Sequence, residues 1–493
     1  MKFPHAGNPA MLMDLYELTM ANGYFLDEES RGTRVAFDVF YRANPDGGGF
    51  AVFAGLEQIV DYLVKLHFEE QDIAYLRSLG QFDERFLDYL RAFRFHGDVV
   101  SFPEGSIIYP NEPVITVMAD IVEAQLIETA ILTQFNHQSL IATKARRIVQ
   151  AAGGRAVSDF GARRAHGSDA AVYGARACAI GGVASTATVL AGQRFGIPVS
   201  GTMAHSWVML FPDELTAFRR FAARYAHNCI LLVDTYDVLD SGVPNAIRVF
   251  RELRGQGIEP RRYGIRIDSG DLAYLTKKAR RMLDEAGFPD AQIVISNSLD
   301  EYTITSILQQ GGQVDAFGVG ERMITARSEP VFGGVYKLCA VERDGVWQPR
   351  IKISDTAEKT TNPGLKDLYR IYDENGVARA DLITLAGEKL DLTKPCRVVD
   401  TLRPWKSIYL ENCTVKPLRS PVIRGGERCY ETEALPEIAA RVERQLRGEI
   451  WEEEQRFENP HGHFLDMSPA CYEMKMRMLE RADERRTPPV LRP

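Results

Sequence analysis

CILLVDTYDVLDSGVPNAIRVFRELRGQGIEPRRYGIRID (229–268) runs from one short apolar, β-branched segment through a helical stretch into a second such segment. CILLVDT (229–235) and YGIRID (263–268) do not alternate apolar with polar, as a strand with one wet face would. They read as strands covered on both faces, which in practice means a parallel sheet with helices as crossovers. The same texture extends outward in both directions, with AVSDF (156–160), IPVSGT (197–202), QIVIS (292–296) and VDAFGVG (314–320) each preceding a helical stretch. Six βα units in succession call for a barrel or a doubly wound sheet, and a barrel is the expectation.

Outside this core the rhythm differs. FDVFYRA (37–43), the turn NPDGGG and FAVFAGLEQIVDYLVKL suggest a mixed α/β domain, GSIIYPNEPVITVMAD (105–120) suggests a hairpin, and Glu123 to Ala152 reads as one long helix stopped by Gly153-Gly154. VYKLCAVERDGVWQPRIKIS (335–354) reads as a hairpin, 431–457 and 468–486 as charged helices, and RTPPVLRP (486–493) as a frayed tail. The expected organisation is a mixed α/β N-terminal domain over 1–140, completed by parts of 340–425, a barrel over 141–339 and a helical extension over 426–493.

The chain has 493 residues, more than one hydrophobic core usually serves. Its 45% hydrophobic and 26% charged residues are ordinary for a globular protein. A net charge of −8 argues against wholesale binding to nucleic acid or anionic membrane, so anionic ligands need local clusters of Arg and Lys. No leader pattern opens the sequence and no apolar run is long enough to cross a bilayer, so a cytoplasmic protein is expected. Seven scattered Cys without a C-x-x-C pair read as free thiols, with no dedicated metal site.

In a βα barrel the reacting groups lie at the C-terminal ends of the strands. Asp159, Arg163 and Arg164 follow the first strand; Thr202, His205 and Ser206 the second; Asp234 and Thr235 the third; Arg266, Asp268 and Asp271 the fourth; Ser296 and Asn297 the fifth; Gly318 and Gly320 the sixth. Arg163-Arg164 fits either an exposed turn or an anion clamp, and His205 either a core histidine or a reactive one. Asp268 and Asp271 fit a helix cap or a site for magnesium pyrophosphate. The glycines of GVGE (318–321) and Gly333-Gly334 fit turns or a backbone phosphate cradle.

Ordered along the chain stand LMDLYELTMANGY (12–24), FDVFYRANP (37–45), FAGLE (53–57), VSDFGARRAHG (157–167), GTMAHSWVM (201–209), LLVDTYDVLDSGVPNA (231–246), GIRIDSGDLAYL (264–275), ISNSLDE (295–301), FGVGERMITA (317–326) and GGVYKL (333–338). Together they resemble the nicotinate phosphoribosyltransferase family. GTMAHS and DTYDVLD are of the nicotinate type and set the chain apart from nicotinamide phosphoribosyltransferases; a decarboxylating relative that uses quinolinate has a much shorter chain. A catalytically silent barrel scaffold is the reading from another class, and the intact His205, Arg266 and Asp268 oppose it.

The resemblance implies an irregular α/β barrel of the type II phosphoribosyltransferase kind with a flanking mixed domain and a helical C-terminal extension, in a homodimer whose active sites are shared between subunits. It implies ATP-coupled transfer of phosphoribose from phosphoribosyl pyrophosphate to nicotinate in NAD biosynthesis, the chemistry of a ligase forming a C–N bond. Mg2+ would accompany pyrophosphate and ATP. Tyr16 would stack on the pyridine ring; Thr202 and Arg266, with Arg163 and Arg164, would hold the carboxylate. His205 would be the phosphorylated histidine, with Asp234 to orient it, and Ser206 beside it. Asp268 and Asp271 would serve the magnesium pyrophosphate and ribose, and Gly318, Gly320, Gly333 and Gly334 the ribose phosphate. Glu321 departs from the threonine that relatives often carry, and Arg322 is the neighbour able to offset its charge.

Overall fold

A computed structural model describes residues 8–484 apart from Asp355, Ala357 and Glu358. The expected tail over 486–493 lies outside the described residues. The chain divides into two units, one running to Leu140 and resuming at Val331, the other being Ile141–Pro330.

The second unit is built on β1 (Ala156–Asp159), β2 (Ser185–Thr186), β3 (Asn228–Leu232), β4 (Arg262–Ile267), β5 (Gln292–Ile295) and β6 (Ala316–Val319). They pair in the order β2-β1-β6-β5-β4-β3, parallel throughout. Helices Val243–Gly255, Leu272–Glu285 and Glu301–Gln309 follow β3, β4 and β5, and the last two are capped by the side chains of Asp271 and Asp300. This is the irregular barrel-type arrangement expected, with one strand displaced. IPVSGT contributes only a bridge from Val199 to Thr186, because Pro198 has no N–H and can only accept, from Thr186 N at 3.0 Å. Its place in the ladder is taken by the two-residue β2.

Side chains alternate along each strand, so the inward set is set by register. Ile230, Val294 and Ala316 form a buried apolar layer. On the same face Arg266 stands level with Val294, Ser296 and Gly318 come one step further along, and Asp234 and Asp268 follow at the strand ends. An apolar floor therefore lies beneath a polar mouth.

In the first unit, strands Val346–Pro349, Val335–Arg343, Arg34–Phe40, Ile115–Asp120, Asp98–Ser101, Ser420–Arg424 and Glu427–Arg428 form one antiparallel sheet in that order. The hairpin at 335–349 turns on Asp344 and Gly345, both at positive φ, the geometry that matches strand twist. A second sheet, largely antiparallel, takes Ser407–Leu410, Cys396–Asp400, Leu465–Met467, Ala378–Leu385, Lys366–Tyr372 and Thr414–Pro417. The expected hairpin at 105–120 is absent among the described residues. Ile107–Ile108 pairs with Ala51–Val52 instead, while Ile115–Asp120 joins Arg34–Phe40; Pro110 and Pro113 remove the donors a hairpin ladder needs between them. The helix expected from Glu123 to Ala152 is broken into Ile121–Gln125 and Glu128–Ala151. The C-terminal helices are Leu435–Gly448 and Pro469–Glu484. No helix among the described residues is long and apolar enough to cross a membrane.

Candidate active site

Arg266 organises the barrel mouth. Its Nε donates to Ser296 Oγ at 2.9 Å, Nη1 to Thr202 Oγ1 at 3.2 Å and Nη2 to Asp268 Oδ1 at 3.1 Å. Below it lies the Phe160 ring, 5.2 Å from the guanidinium carbon, which fixes the plane of the fork. Gly318 belongs to this arrangement, because a Cβ there would come within 2.4 Å of the Phe160 ring. Ser296 also donates to the Asp268 carboxylate. A cation, a carboxylate and two hydroxyls thus share one partly buried face of the barrel.

Asp234 and Asp268 are joined through the backbone. Asp234 Oδ2 accepts from Asp268 N at 2.9 Å and from Ser269 Oγ at 2.7 Å, while its Oδ1 is buried without a partner. An unmatched buried carboxylate oxygen at a polar mouth is costly unless a ligand completes it. His205 opens the helix His205–Leu210, and its Nδ1 lies 3.1 Å from Thr235 Oγ1. No hydrogen bond joins His205 to Asp234 among the described residues; Thr235 orients the ring. Ser206 is exposed on the same turn.

The remaining strand-end residues fall into two groups. Asp159 is a strut, fully occupied by Gly161 N at 2.8 Å and Thr186 Oγ1 at 2.7 Å, with burial pushing its carboxyl pKa up. Asp271 caps its helix by accepting from Tyr274 N at 3.0 Å, with its side chain exposed. Arg163 and Arg164 sit exposed in the short turn Ala162–Arg164. Past β6, Gly320 precedes the turn Glu321–Ile324. Glu321 is drawn to Arg327 at 2.9 Å and Arg322 to Asp300, so neither charge is idle.

The first unit carries its own set. Tyr16 is 43% exposed on helix Leu15–Leu26; burial and then the charge of the nearby Glu128 raise its pKa. Glu128 in turn faces Lys337 Nζ at 3.9 Å. Burial lowers the Lys337 pKa against the pull of Glu128, and the charges of Lys352 and Arg42 lower it further. Gly333 is left-handed at φ 74, and Gly334 N donates to Asn136 Oδ1 at 2.8 Å. Arg42, Lys337 and Lys352 are given no role by the sequence pattern, since Lys337 lies in an antiparallel strand and Arg42 and Lys352 in the chain that follows such strands, where the strand-end rule has no purchase. Arg42 and Lys337 stand in FYRANP and GGVYKL, two stretches that carried the resemblance.

Comparison with known proteins gives three matches in order along the chain: the nicotinate phosphoribosyltransferase (NAPRTase) N-terminal domain over residues 11–136, the nicotinate phosphoribosyltransferase (NAPRTase) family over 155–380, and the nicotinate phosphoribosyltransferase C-terminal domain over 365–475. The nicotinate phosphoribosyltransferase of Bacillus subtilis is 44% identical over 473 residues, 96% of this chain and 95% of the relative. That of Homo sapiens is 31% identical over 512 aligned positions, 91% and 93% of the two chains. The crystal structure of human nicotinic acid phosphoribosyltransferase superposes with a TM-score of 0.83 at 28% identity, covering 95% of this chain and all of that one.

Proposed function

The chain belongs to the nicotinate phosphoribosyltransferase family, and from that premise we propose that the Arg266 face of its barrel holds the nicotinate carboxylate while the ring nitrogen takes phosphoribose. The activity is that of the family: nicotinate and phosphoribosyl pyrophosphate give nicotinate mononucleotide and pyrophosphate, a step of NAD biosynthesis. The observation that carries the assignment of the site is the arrangement of Arg266. Three of the five N–H groups of a guanidinium are engaged by Ser296, Thr202 and Asp268, which leaves two for a bidentate carboxylate. Nicotinamide offers no charge to match.

At the sugar, C1 parts from pyrophosphate through an oxocarbenium-like state, so carboxylates near C1 lower the barrier by stabilising the cation as it forms. Asp268 and Asp234 are the candidates, and the unpartnered Asp234 Oδ1 is the oxygen free to do it. No protein nucleophile is required. A magnesium ion would come carried by pyrophosphate and be touched by one or two carboxylates. Bound there, it would neutralise the departing anion. Arg42, Lys337 and Lys352, with Gly333-Gly334, are suited to phosphate oxygens, and Tyr16 to the face of the pyridine ring.

ATP enters through His205. With Nδ1 held by Thr235, Nε2 is the nitrogen left to attack the terminal phosphate of ATP, forming an N–P bond as the bond to ADP breaks. A homodimer fits the exposed apolar side chains of the barrel unit, among them Val199, Met209, Leu210 and Tyr236, and of the first unit, Tyr16 and Met20. A cytoplasmic location follows from the substrates. Mononucleotide formation from nicotinate and from nicotinamide, each with and without ATP, tests the reading; strong preference for nicotinate, stimulated by ATP, is expected, and equal use of both bases would overturn the Arg266 assignment.

A further inference from the structure

The loop that carries Arg42 is held at its start by the turn around Tyr109 and at its far end by a segment near the C-terminus that also grips that turn. At its start, Tyr41 O accepts from Asn111 N at 2.7 Å, and Tyr41 Oη donates to Ile108 O at 2.8 Å. The turn 109–112 is thereby stitched to the residue next to Arg42. Tyr109 Oη donates to Glu454 Oε2 at 2.6 Å. The Tyr109 and His463 rings stack at 3.7 Å with 6° between planes, and His463 Nδ1 lies 3.1 Å from Glu454 Oε1. At the loop's far end, Gly49 packs on the Glu454 backbone so tightly that a Cβ would lie 2.1 Å from the carbonyl oxygen. Glu454 thus grips one end by its side chain and the other by its main chain.

The cluster behind this grip is buried and charged. Arg370 makes two bonds to Asp381, at 2.8 and 2.7 Å, and reaches Ile107 O at 3.2 Å. Asp381 lies 3.4 Å from His463 Nε2. Burial opposes protonation of His463, but Asp381 and Glu454 outweigh it and hold the imidazole pKa above its ordinary value. The loop also borders a cavity of about 440 Å3 that Arg42, Asn44 and Gly47 to Gly49 line together with Tyr109, His463 and Arg403. Packing cannot fix the loop where it faces open space, so the polar contacts must.

We propose that Glu454 and His463 are positioning residues that set the place of Arg42 for phosphate binding, acting through Tyr109 and Gly49. This gives the C-terminal segment a part in the reaction, and it rests on the reading of Arg42 as a phosphate ligand.

The test is steady-state kinetics on the full-length enzyme with Tyr109→Phe, Glu454→Gln, Arg42→Ala and the double variant Arg42→Ala/Tyr109→Phe, alongside their melting temperatures. Tyr109→Phe removes one hydroxyl and keeps the ring stack, so it folds even if Glu454→Gln does not. The KM for phosphoribosyl pyrophosphate should rise roughly 3- to 10-fold in Tyr109→Phe, the range for one lost hydrogen bond, with the KM for nicotinate and kcat held. Arg42→Ala should raise the same KM at least as far, and the double variant should add nothing to it, since Tyr109 acts through Arg42. An unchanged KM in folded Tyr109→Phe, or full additivity in the double variant, overturns the positioning role. An unchanged KM in Arg42→Ala overturns instead the phosphate reading beneath it.

Discussion

His205 Nδ1 rests 3.1 Å from Thr235 Oγ1, on the loop leaving β3, while Asp234 one residue earlier turns to the backbone of Asp268. The histidine is therefore oriented by a hydroxyl, and its Nε2 is the nitrogen open to a phosphate donor. Incubation with ATP should give an acid-labile phosphohistidine on Nε2, visible as added mass at alkaline pH and assignable by 31P NMR. His205→Ala should lose it together with ATP hydrolysis, yet still form mononucleotide slowly at high phosphoribosyl pyrophosphate. Undiminished phosphorylation in His205→Ala would move the role to another residue.

Tyr16 is nearly half exposed although burial and the charge of Glu128 act on its hydroxyl. In a shared site it serves the partner subunit, so mixing two inactive chains, Tyr16→Ala and Asp268→Ala, should restore activity through hybrids in which one site carries neither lesion. Hybrids shown to form yet remaining inactive would contradict the shared site.

Asp466 is buried, and burial followed by the charge of Asp400 pushes its pKa up to about 6, against the pull of His463 and Arg403. The native state then holds this proton more tightly than the unfolded chain. The resulting stability is present below the ordinary carboxyl pKa and is lost as pH rises toward 6. Asp466→Asn should raise the melting temperature at pH 8, by an amount reflecting on the order of 2 kcal/mol, and change it little at pH 4. Equal shifts at both pH values would show that the proton is not the cause.

Much of the barrel mouth was legible because strands covered on both faces announce themselves, and their ends locate Arg266, Asp268 and Asp234 within a residue or two. β2 was not, since Ser185–Thr186 has neither the length nor the apolar character of its neighbours. Gly318 reads in the sequence as a turn or a phosphate cradle, whereas its neighbour is the Phe160 ring, a contact that depends on the pairing of β6 with β1. The place of Lys337 depends on antiparallel register, which sets it opposite Asp38. Glu454 reaches Tyr109 across 345 residues, a distance over which local pattern carries no information.

The central claim is that Arg266 selects the substrate by its carboxylate. The direct measurement is kcat/KM for nicotinate and for nicotinamide in the parent enzyme and in Arg266→Ala. The account predicts that the parent strongly favours nicotinate, and that Arg266→Ala loses about 1.5 to 3 kcal/mol of that preference, roughly 10- to 150-fold, almost wholly on nicotinate. A variant that lost both substrates equally, or kept the parent's preference, would contradict it.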